Sequence, residues 1–420
     1  MKTKTIPLGL LFASISIIAF AQDKPPGPQR GDGHHQSGYS IAQATSDRAQ
    51  LNTIAFDGLA FLTGDFNCDT FLPPGKVSDF FGFQNMRDVD GAAMGHNTDF
   101  LTRIANNVLR ILNNEQKAQL VELGKIQAPQ IRALALKRLP LIQAFCRNLA
   151  GDFPTGSQGL NRAAVMKYTS GVFETSGALA FERAEVYGKI IHSLTPEQKA
   201  EFAKLKFGDS HTWPDVAETE AFDKRTVSHA VHVAMMTYGS EFFSWYAGSV
   251  EADTYFCPEG HGTYFGAFYM KDAPAVHQKN YSISTALTGD SGEAFLAVLN
   301  PTQREMITSL VELQRQDLQD IVNTRRAVAT ELRQFMSVRS AVKEKVLKLC
   351  RHYGELDGDL SYYYATHFAE VNKKLTAEQR TTIKKLRGIE GFNAKSPFVY
   401  ADPIASPTIP NTDFLFTNAE

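Results

Sequence analysis

Two histidines followed by a methionine form the part of this sequence with the clearest capacity for metal chemistry. His229, His232 and Met236 are spaced by three and four residues, which places them on one face of a helix. Imidazole and thioether groups suit copper better than magnesium or calcium. One helix cannot complete a metal shell, and the nearest candidates for a further ligand are Glu241, Cys257 and His261. A polar, structural helix face would show the same pattern, so both interpretations stay open.

A second candidate site lies in the ring-rich segment 253–272, where aromatic side chains could bind an apolar or aromatic ligand. The candidate ligand-binding residues are Tyr255, Tyr264, Phe265, Phe268 and Tyr269. Similar rings near Phe81 argue first for a structural role, in which the loop packs under helices. Cys68 and Cys257 lie just before the two ring-rich segments, and a bridge between them is the most attractive of the possible pairings.

No motif in the sequence specifies a reaction, so the catalytic residues are unknown. Glu182, Glu185 and the pair His367 and Glu370 have the spacing of ligands in di-metal helical bundles, but neither half of the chain has the full set. The string at 289–292 resembles a serine-protease motif, yet it lacks convincing His and Asp partners. An enzyme is therefore the weaker expectation.

Composition places the chain among globular proteins. It has 420 residues, 43% hydrophobic and 21% charged, which suits a packed core and excludes a highly charged disordered polymer. Forty-three basic and forty-five acidic side chains give a net charge of -2. Such a chain has no global positive field, so nucleic acid is not an expected partner.

The N-terminus has the pattern of a secretory signal peptide. Residues 1–21 contain two lysines, an apolar run and a closing Ala-Phe-Ala. No later segment has the roughly eighteen uninterrupted apolar residues of a membrane span. We expect a periplasmic or secreted protein in which residues 22–44 are a flexible linker. Residues 389–420 should form an extended, proline-rich tail whose rings, including Phe414 and Phe416, lie against the folded body.

The body of the chain shows an internal duplication. Residues 69–88 align with residues 253–272 without a gap, and seven of twenty positions are identical, against about one expected from average composition. The string Glu-x-x-Gly-x-Leu at 174–179 returns at 355–360 in the same order. Two copies on one chain commonly pack about a pseudo-twofold axis, so we expect a dimer-like arrangement within one chain.

Both copies are predicted to be helical, because apolar residues recur with three-to-four spacing and strand-like alternation is sparse. The predicted fold is all-α, with two fused and duplicated helical units, 45–208 and 222–388, and aromatic-rich loops. Residues 209–221 would link the units. Pro129 and Pro140 predict a kink in the long helix of the first unit only.

Four short boxes mark predicted helix starts. Each has the form Leu-(Thr or Asn)-x-x-Gln, in which the Thr or Asn caps the helix and the Gln reaches back to the cap. They lie at residues 112–116, 194–198, 299–303 and 375–379. Paired boxes of this kind behind a signal peptide resemble the Spy/CpxP family of small periplasmic proteins, and the resemblance covers the helical portions of the chain.

The resemblance implies a function in the cell envelope. Members of that family are chaperones or metal-stress sensors, so we expect a non-enzymatic binding or chaperone-like protein related to envelope or metal stress. Its partners would be unfolded or hydrophobic client proteins, or a small apolar or aromatic ligand. The alternative is a metal-dependent enzyme or metal-binding protein that uses copper, zinc or iron through the second-unit histidines and carboxylates.

Overall fold

The computed structural model describes residues 45–63, 99–137, 139–206, 212–250, 292–337, 340–387 and 411–416. All regular secondary structure in these ranges is helical, which confirms the predicted all-α class. None of the described helices is both long enough and apolar enough to cross a membrane. The signal peptide, the 22–44 linker, both ring-rich segments, Cys68 and Cys257 lie outside the described residues.

The described residues form fifteen α-helices and two short 3-10 helices, Lys224–Thr226 and Asp413–Leu415. The α-helices, in chain order, are α1 (Asp47–Thr63), α2 (Asp99–Ile111), α3 (Asn114–Lys137), α4 (Leu139–Ala150), α5 (Arg162–Ser193), α6 (Pro196–Lys204), α7 (Glu218–Ala221), α8 (His229–Ala247), α9 (Glu293–Val298), α10 (Pro301–Thr308), α11 (Leu310–Leu313), α12 (Arg315–Leu332), α13 (Gln334–Ser337), α14 (Lys343–Lys374) and α15 (Ala377–Arg387).

The two longest described helices, α5 and α14, have 32 residues each and pack against one another. They run antiparallel. Arg162 at the start of α5 bonds Asp359, whereas Gly177, farther along α5, packs on Cys350, nearer the start of α14. The pairing buries one apolar stripe of each helix, including Val172 on α5.

Glycine allows the two long helices to approach closely. A Cβ added at Gly354 would lie 2.7 Å from the carbonyl oxygen of Thr169 and 2.8 Å from Cα of Ser170. The glycines of the repeated Glu-x-x-Gly string lie in the same contact, since Gly177 packs on Cys350 and Gly358 packs on Thr169. A side chain at any of these positions would force the helices apart.

Two helices pack away from the half of the chain in which they lie. Helix α1 contacts α9, α10, α11, α14 and α15, and helix α8 contacts α2 and α3. Buried hydrogen bonds cross these interfaces. Gln314 Nε2 donates to Gln50 Oε1 on α1 at 2.8 Å, and the Tyr238 hydroxyl on α8 donates to Gln127 Oε1 at 2.9 Å. The first and second halves of the chain are therefore interlocked.

The predicted helix interruptions are partly wrong. Helix α3 continues through Pro129, and Pro140 lies in the first turn of α4, while residue 138 lies outside the described residues. The second half, expected to be continuous, is interrupted at Ser309 and Gln314. At the second of these breaks the Gln314 side chain accepts a buried hydrogen bond from the Tyr364 hydroxyl at 2.6 Å. The interruptions in the second half therefore occur at residues other than proline.

The capping boxes form the bonds that the sequence predicts. At the start of α6, Gln198 N–H donates to Thr195 Oγ1 and Thr195 N–H donates to Gln198 Oε1. At the start of α10, Asn300 and Gln303 exchange the same two bonds at 2.9 Å each. Local capping chemistry thus sets these helix starts.

The box glutamines also bond to one another, which the sequence did not predict. Gln198 Nε2 donates to Gln116 Oε1 at 2.7 Å, and Gln116 Nε2 donates back at 3.2 Å. Gln303 and Gln379 repeat this exchange at 3.1 and 2.8 Å. Each pair joins two helix starts that are remote in sequence, so the boxes have a tertiary as well as a local function.

Candidate functional site

The histidines and methionine of the candidate metal face lie on α8. His229 is exposed, while His232 and Met236 are half-buried. His232 Nε2 lies 2.8 Å from Glu218 Oε1. Burial lowers the pKa of His232 and outweighs the opposing effect of Glu218, and Lys224 lowers it further. His232 is therefore held as a neutral imidazole beside a carboxylate at neutral pH.

Glu241 is engaged inside the protein. Arg183 Nη1 donates to its Oε1 at 3.2 Å, and the Tyr187 hydroxyl donates to its Oε2 at 2.8 Å. Among the described residues no group of three or more His, Cys, Asp or Glu side chains is arranged to hold a metal ion. Cys257 and His261 lie outside the described residues. The candidate ligand-binding rings Tyr255, Tyr264, Phe265, Phe268 and Tyr269 lie outside them too.

The carboxylates and histidine with di-metal spacing do not meet at one centre. Each has a neighbour of its own on α3, α5 or α14. The partners of Glu182, Glu185, His367 and Glu370 are Gln127, Lys189, the Tyr363 carbonyl and Lys373, respectively. These groups therefore stabilise helix faces and packing contacts.

A half-open cavity of about 540 Å³ lies where α4, the start of α5, α14 and the C-terminal segment 411–416 meet. The loop between α4 and α5, one face of α14 from Tyr362 to Lys373, and Phe416 line it. Gly156 and Gly159 in the loop have φ values of 85° and 155°, which favour glycine and let the backbone form the rim. The volume is within the usual range of small-molecule sites, about 300–1,000 Å³.

The C-terminal segment is fixed as one wall of this cavity. Arg147 on α4 donates to Asp413 Oδ1 at 2.8 Å, and its guanidinium lies 4.8 Å from the centre of the Phe416 ring. The backbone N–H of Asn161 donates to the Leu415 carbonyl at 2.8 Å. Leu415 and Phe416 are buried. Part of the predicted C-terminal tail thus packs on the body of the protein.

A smaller cavity of about 330 Å³ lies between α5 and α13. The α5 residues that line it and the α14 residues that line the larger cavity are separated by a constant number of sequence positions. Glu185, Gly188, Lys189 and His192 lie 181 positions before Thr366, Ala369, Glu370 and Lys373. The partner walls differ, because Phe335 on α13 lines the smaller cavity and its carbonyl lies 3.0 Å from His192 Nε2.

An acid pair lies beside the start of α5. Arg162 Nε and Nη2 donate to the two oxygens of Asp359 at 2.6 and 2.5 Å. Burial, then the adjacent Asp359 carboxylate, raises the pKa of Asp317 to about 7, and the two carboxyl groups are hydrogen-bonded. Carboxyl groups at hydrogen-bonding distance are closer than the about 5–9.5 Å that separates glycosidase carboxyl pairs, so this pair does not flank a bond. Neither residue lines the cavity.

Sequence reasoning did not find the cavity. Of its lining residues it had singled out Glu370, as a metal ligand, and Phe416, as part of a packed tail. The available signal was the recurrence of Glu-x-x-Gly-x-Leu, whose two copies are separated by the same 181 positions. No family model, curated protein or solved structure matches the chain, so its function has to be argued from the site itself.

Proposed function

We propose that this chain is an exported, non-enzymatic binding protein of the cell envelope that holds a small ligand in the 540 Å³ cavity. The observation that supports the proposal is that the C-terminal segment is held in place as one wall of this cavity. Arg147, Leu415 and Phe416 fix the C-terminal segment with a charge-assisted hydrogen bond and buried contacts. Preformed, concave sites with a few placed polar groups are typical of ligand binding.

We also propose that the chain is a duplicated unit with a pseudo-twofold axis. Gly177 packs on Cys350, and Gly358 packs on Thr169. Gly358 follows Gly177, and Cys350 follows Thr169, by the same 181 positions. Reciprocal contacts of this kind characterise an isologous interface. The two exchanged glutamine pairs and the two cavities support the same correspondence.

Capture of unfolded client proteins, the activity implied by the Spy/CpxP resemblance, has less support. An apolar surface for such clients would need a contiguous patch of several hundred Å². The large apolar side chains exposed in the described part of the chain are Ile126, Leu313, Val342 and Phe414, which lie on separate elements. The cavity therefore carries the proposal better than the helix surfaces do.

The metal-dependent alternative also has less support. In the described residues it rests on His229, His232 and Met236, because Glu241 is engaged by Arg183 and Tyr187. His232 already has Glu218 as a close neighbour. A copper, zinc or iron site would have to recruit residues outside the described ranges.

A thermal-shift screen with a chemically broad library of small molecules tests the proposed function. A ligand of the folded state raises the melting temperature in proportion to RT ln(1 + [L]/Kd). We expect the shift to be lost in Thr366→Trp, which fills the cavity. It should persist in Glu185→Trp, the matched change at the corresponding position of the smaller cavity. Absence of any ligand, or equal loss in both variants, would contradict the proposal.

A further inference from the structure

The charges that line the larger cavity cancel. Glu370 and Lys373 are the only acidic or basic residues among those that line it. Lys373 Nζ lies 2.5 Å from Glu370 Oε1, so the two groups form an ion pair at the rim. A ligand with a net charge would meet no unmatched opposite charge and would lose solvation on entry. The site therefore favours an uncharged ligand.

Some polar groups that line the cavity are hydrogen-bonded within the protein, and others are available to bond a ligand. The Thr366 hydroxyl donates to the Tyr362 carbonyl at 2.8 Å, and Asn161 Oδ1 accepts from its own helix, so these groups hold the wall in place. Thr155 and Gln158 are exposed and Tyr362 is half-buried, and the side chains of all three make no hydrogen bond to another described residue. An amide and two hydroxyls both donate and accept, which matches a ligand rich in hydroxyl groups.

Two half-buried rings, Phe153 and Tyr362, add flat apolar surfaces to this polar lining. Phe153 is supported by Phe416, with ring centres 6.2 Å apart, and Phe416 is covered in turn by Arg147. The Phe153 ring therefore packs against a buried neighbour at the edge of the cavity. Aromatic faces with adjacent hydrogen-bonding groups suit a ring that is apolar on its C–H face and polar at its edge.

We infer that the ligand is an uncharged, hydroxyl-rich molecule of the mono- or disaccharide class, an inference that rests on the proposed binding function. The cancelled charges disfavour phosphorylated and carboxylated ligands. The free amide and hydroxyl groups disfavour a purely apolar one. The rings of Phe153 and Tyr362 then select a cyclic sugar over a flexible polyol.

Calorimetric titration of the mature protein with neutral and charged sugars tests this inference. The probes are glucose, galactose, N-acetylglucosamine, maltose and cellobiose, with glucose 6-phosphate and glucuronic acid as charged counterparts. We expect saturable binding of at least one neutral sugar, and binding of its charged counterpart at least about tenfold weaker. Tyr362→Ala should weaken binding about tenfold, whereas Lys189→Ala, in the smaller cavity, should not change it.

If a nucleoside, an amino acid or a peptide binds at the cavity and no neutral sugar does, the ligand class is wrong but the binding function stands. Sugar binding that Tyr362→Ala leaves unchanged would place the sugar elsewhere and overturn the inference. If no small molecule of any class binds, both are wrong.

Discussion

At the scale of single residues, the described part of the chain compensates some of its buried charged groups with a partner, whereas burial raises the pKa of Asp57 and so favours its neutral acid form. Arg183 and Glu241 are fully buried and bonded to each other. Such a pair adds little net stability, but removing one partner would leave an unpaired charge in the core. Asp317 and Asp359 are compensated differently. Arg162 donates to Asp359, and the raised pKa of the neighbouring Asp317 favours its neutral acid form over a second negative charge.

The acid pair predicts how stability depends on pH. The pKa of Asp317 is about 7 in the folded protein, above its ordinary value of 3.8, so the folded state binds more protons between these values. Stability must therefore fall as pH rises through this window and level off above it. Asp317→Asn removes the titrating group. We expect it to be more stable than wild type by about 1 kcal/mol at pH 8, since solvent screens a half-exposed carboxyl, and the gain should shrink towards pH 4.

Denaturant unfolding of both proteins at pH 4, 6 and 8 measures this difference. A stability gain that is equal at all three pH values would mean that the substitution acts through packing and not through the proton shared with Asp359.

At the scale of secondary-structure elements, the contact between α5 and α14 dominates the fold. Its closeness depends on glycines placed where the helix backbones meet. Glycine lowers helix propensity by about 1 kcal/mol relative to alanine. The protein therefore accepts weaker local helix formation at these positions in return for tighter packing between the helices.

A pair of glycine substitutions separates these two effects. At Gly354 a new Cβ would approach the backbone of Thr169 and Ser170, which cannot move aside, so Gly354→Ala should destabilise the protein by about 2 kcal/mol. At Gly171, on α5, the nearest atom to a new Cβ is Lys137 Nζ at 4.0 Å. Gly171→Ala should therefore stabilise the protein by up to about 1 kcal/mol.

Chemical denaturation of the two variants gives the signs directly. Stabilisation by both substitutions would show that the α5 and α14 contact is looser than the structure indicates.

At the scale of the whole molecule, the two halves of the chain complete each other. Helix α1 packs in the second half, helix α8 packs in the first, and the contact between α5 and α14 joins the two. A half separated from the other would expose the apolar face of α5 or α14. We therefore expect the described part of the chain to unfold as one cooperative unit.

Division of the chain between residues 208 and 209 tests this interlocking. Fragment 22–208 lacks the helices on which α1 packs, and fragment 209–420 contains α8 without α2 and α3. We expect each fragment alone to have low helix content by circular dichroism. Coexpressed fragments should copurify as a helical complex, because the packing interfaces do not need the covalent link. Independent folding of either fragment with full helicity would contradict the interlocked arrangement.

The sequence was sufficient to predict the helical class and several helix starts, because these depend on interactions over three or four residues. Thr195 with Gln198 and Asn300 with Gln303 form their caps within a single turn. The repeated segments also indicate a duplication. It remains a proposal, supported by the reciprocal contacts of Gly177 with Cys350 and of Gly358 with Thr169. The metal face could be placed on one helix, but the involvement of Glu241 with Arg183 could not be predicted, since the two lie on different helices.

Only tertiary packing determined the rest. The exchange between Gln116 and Gln198 joins helix starts that are 82 positions apart, and the cavity combines the loop before α5, α14 and a segment that begins at Asn411. No local sequence pattern specifies such long-range contacts. A side chain that caps only its own helix and one that also binds a distant helix look the same in sequence. The free energy that selects them comes from burying apolar surface across the whole chain, and that term depends on every helix at once.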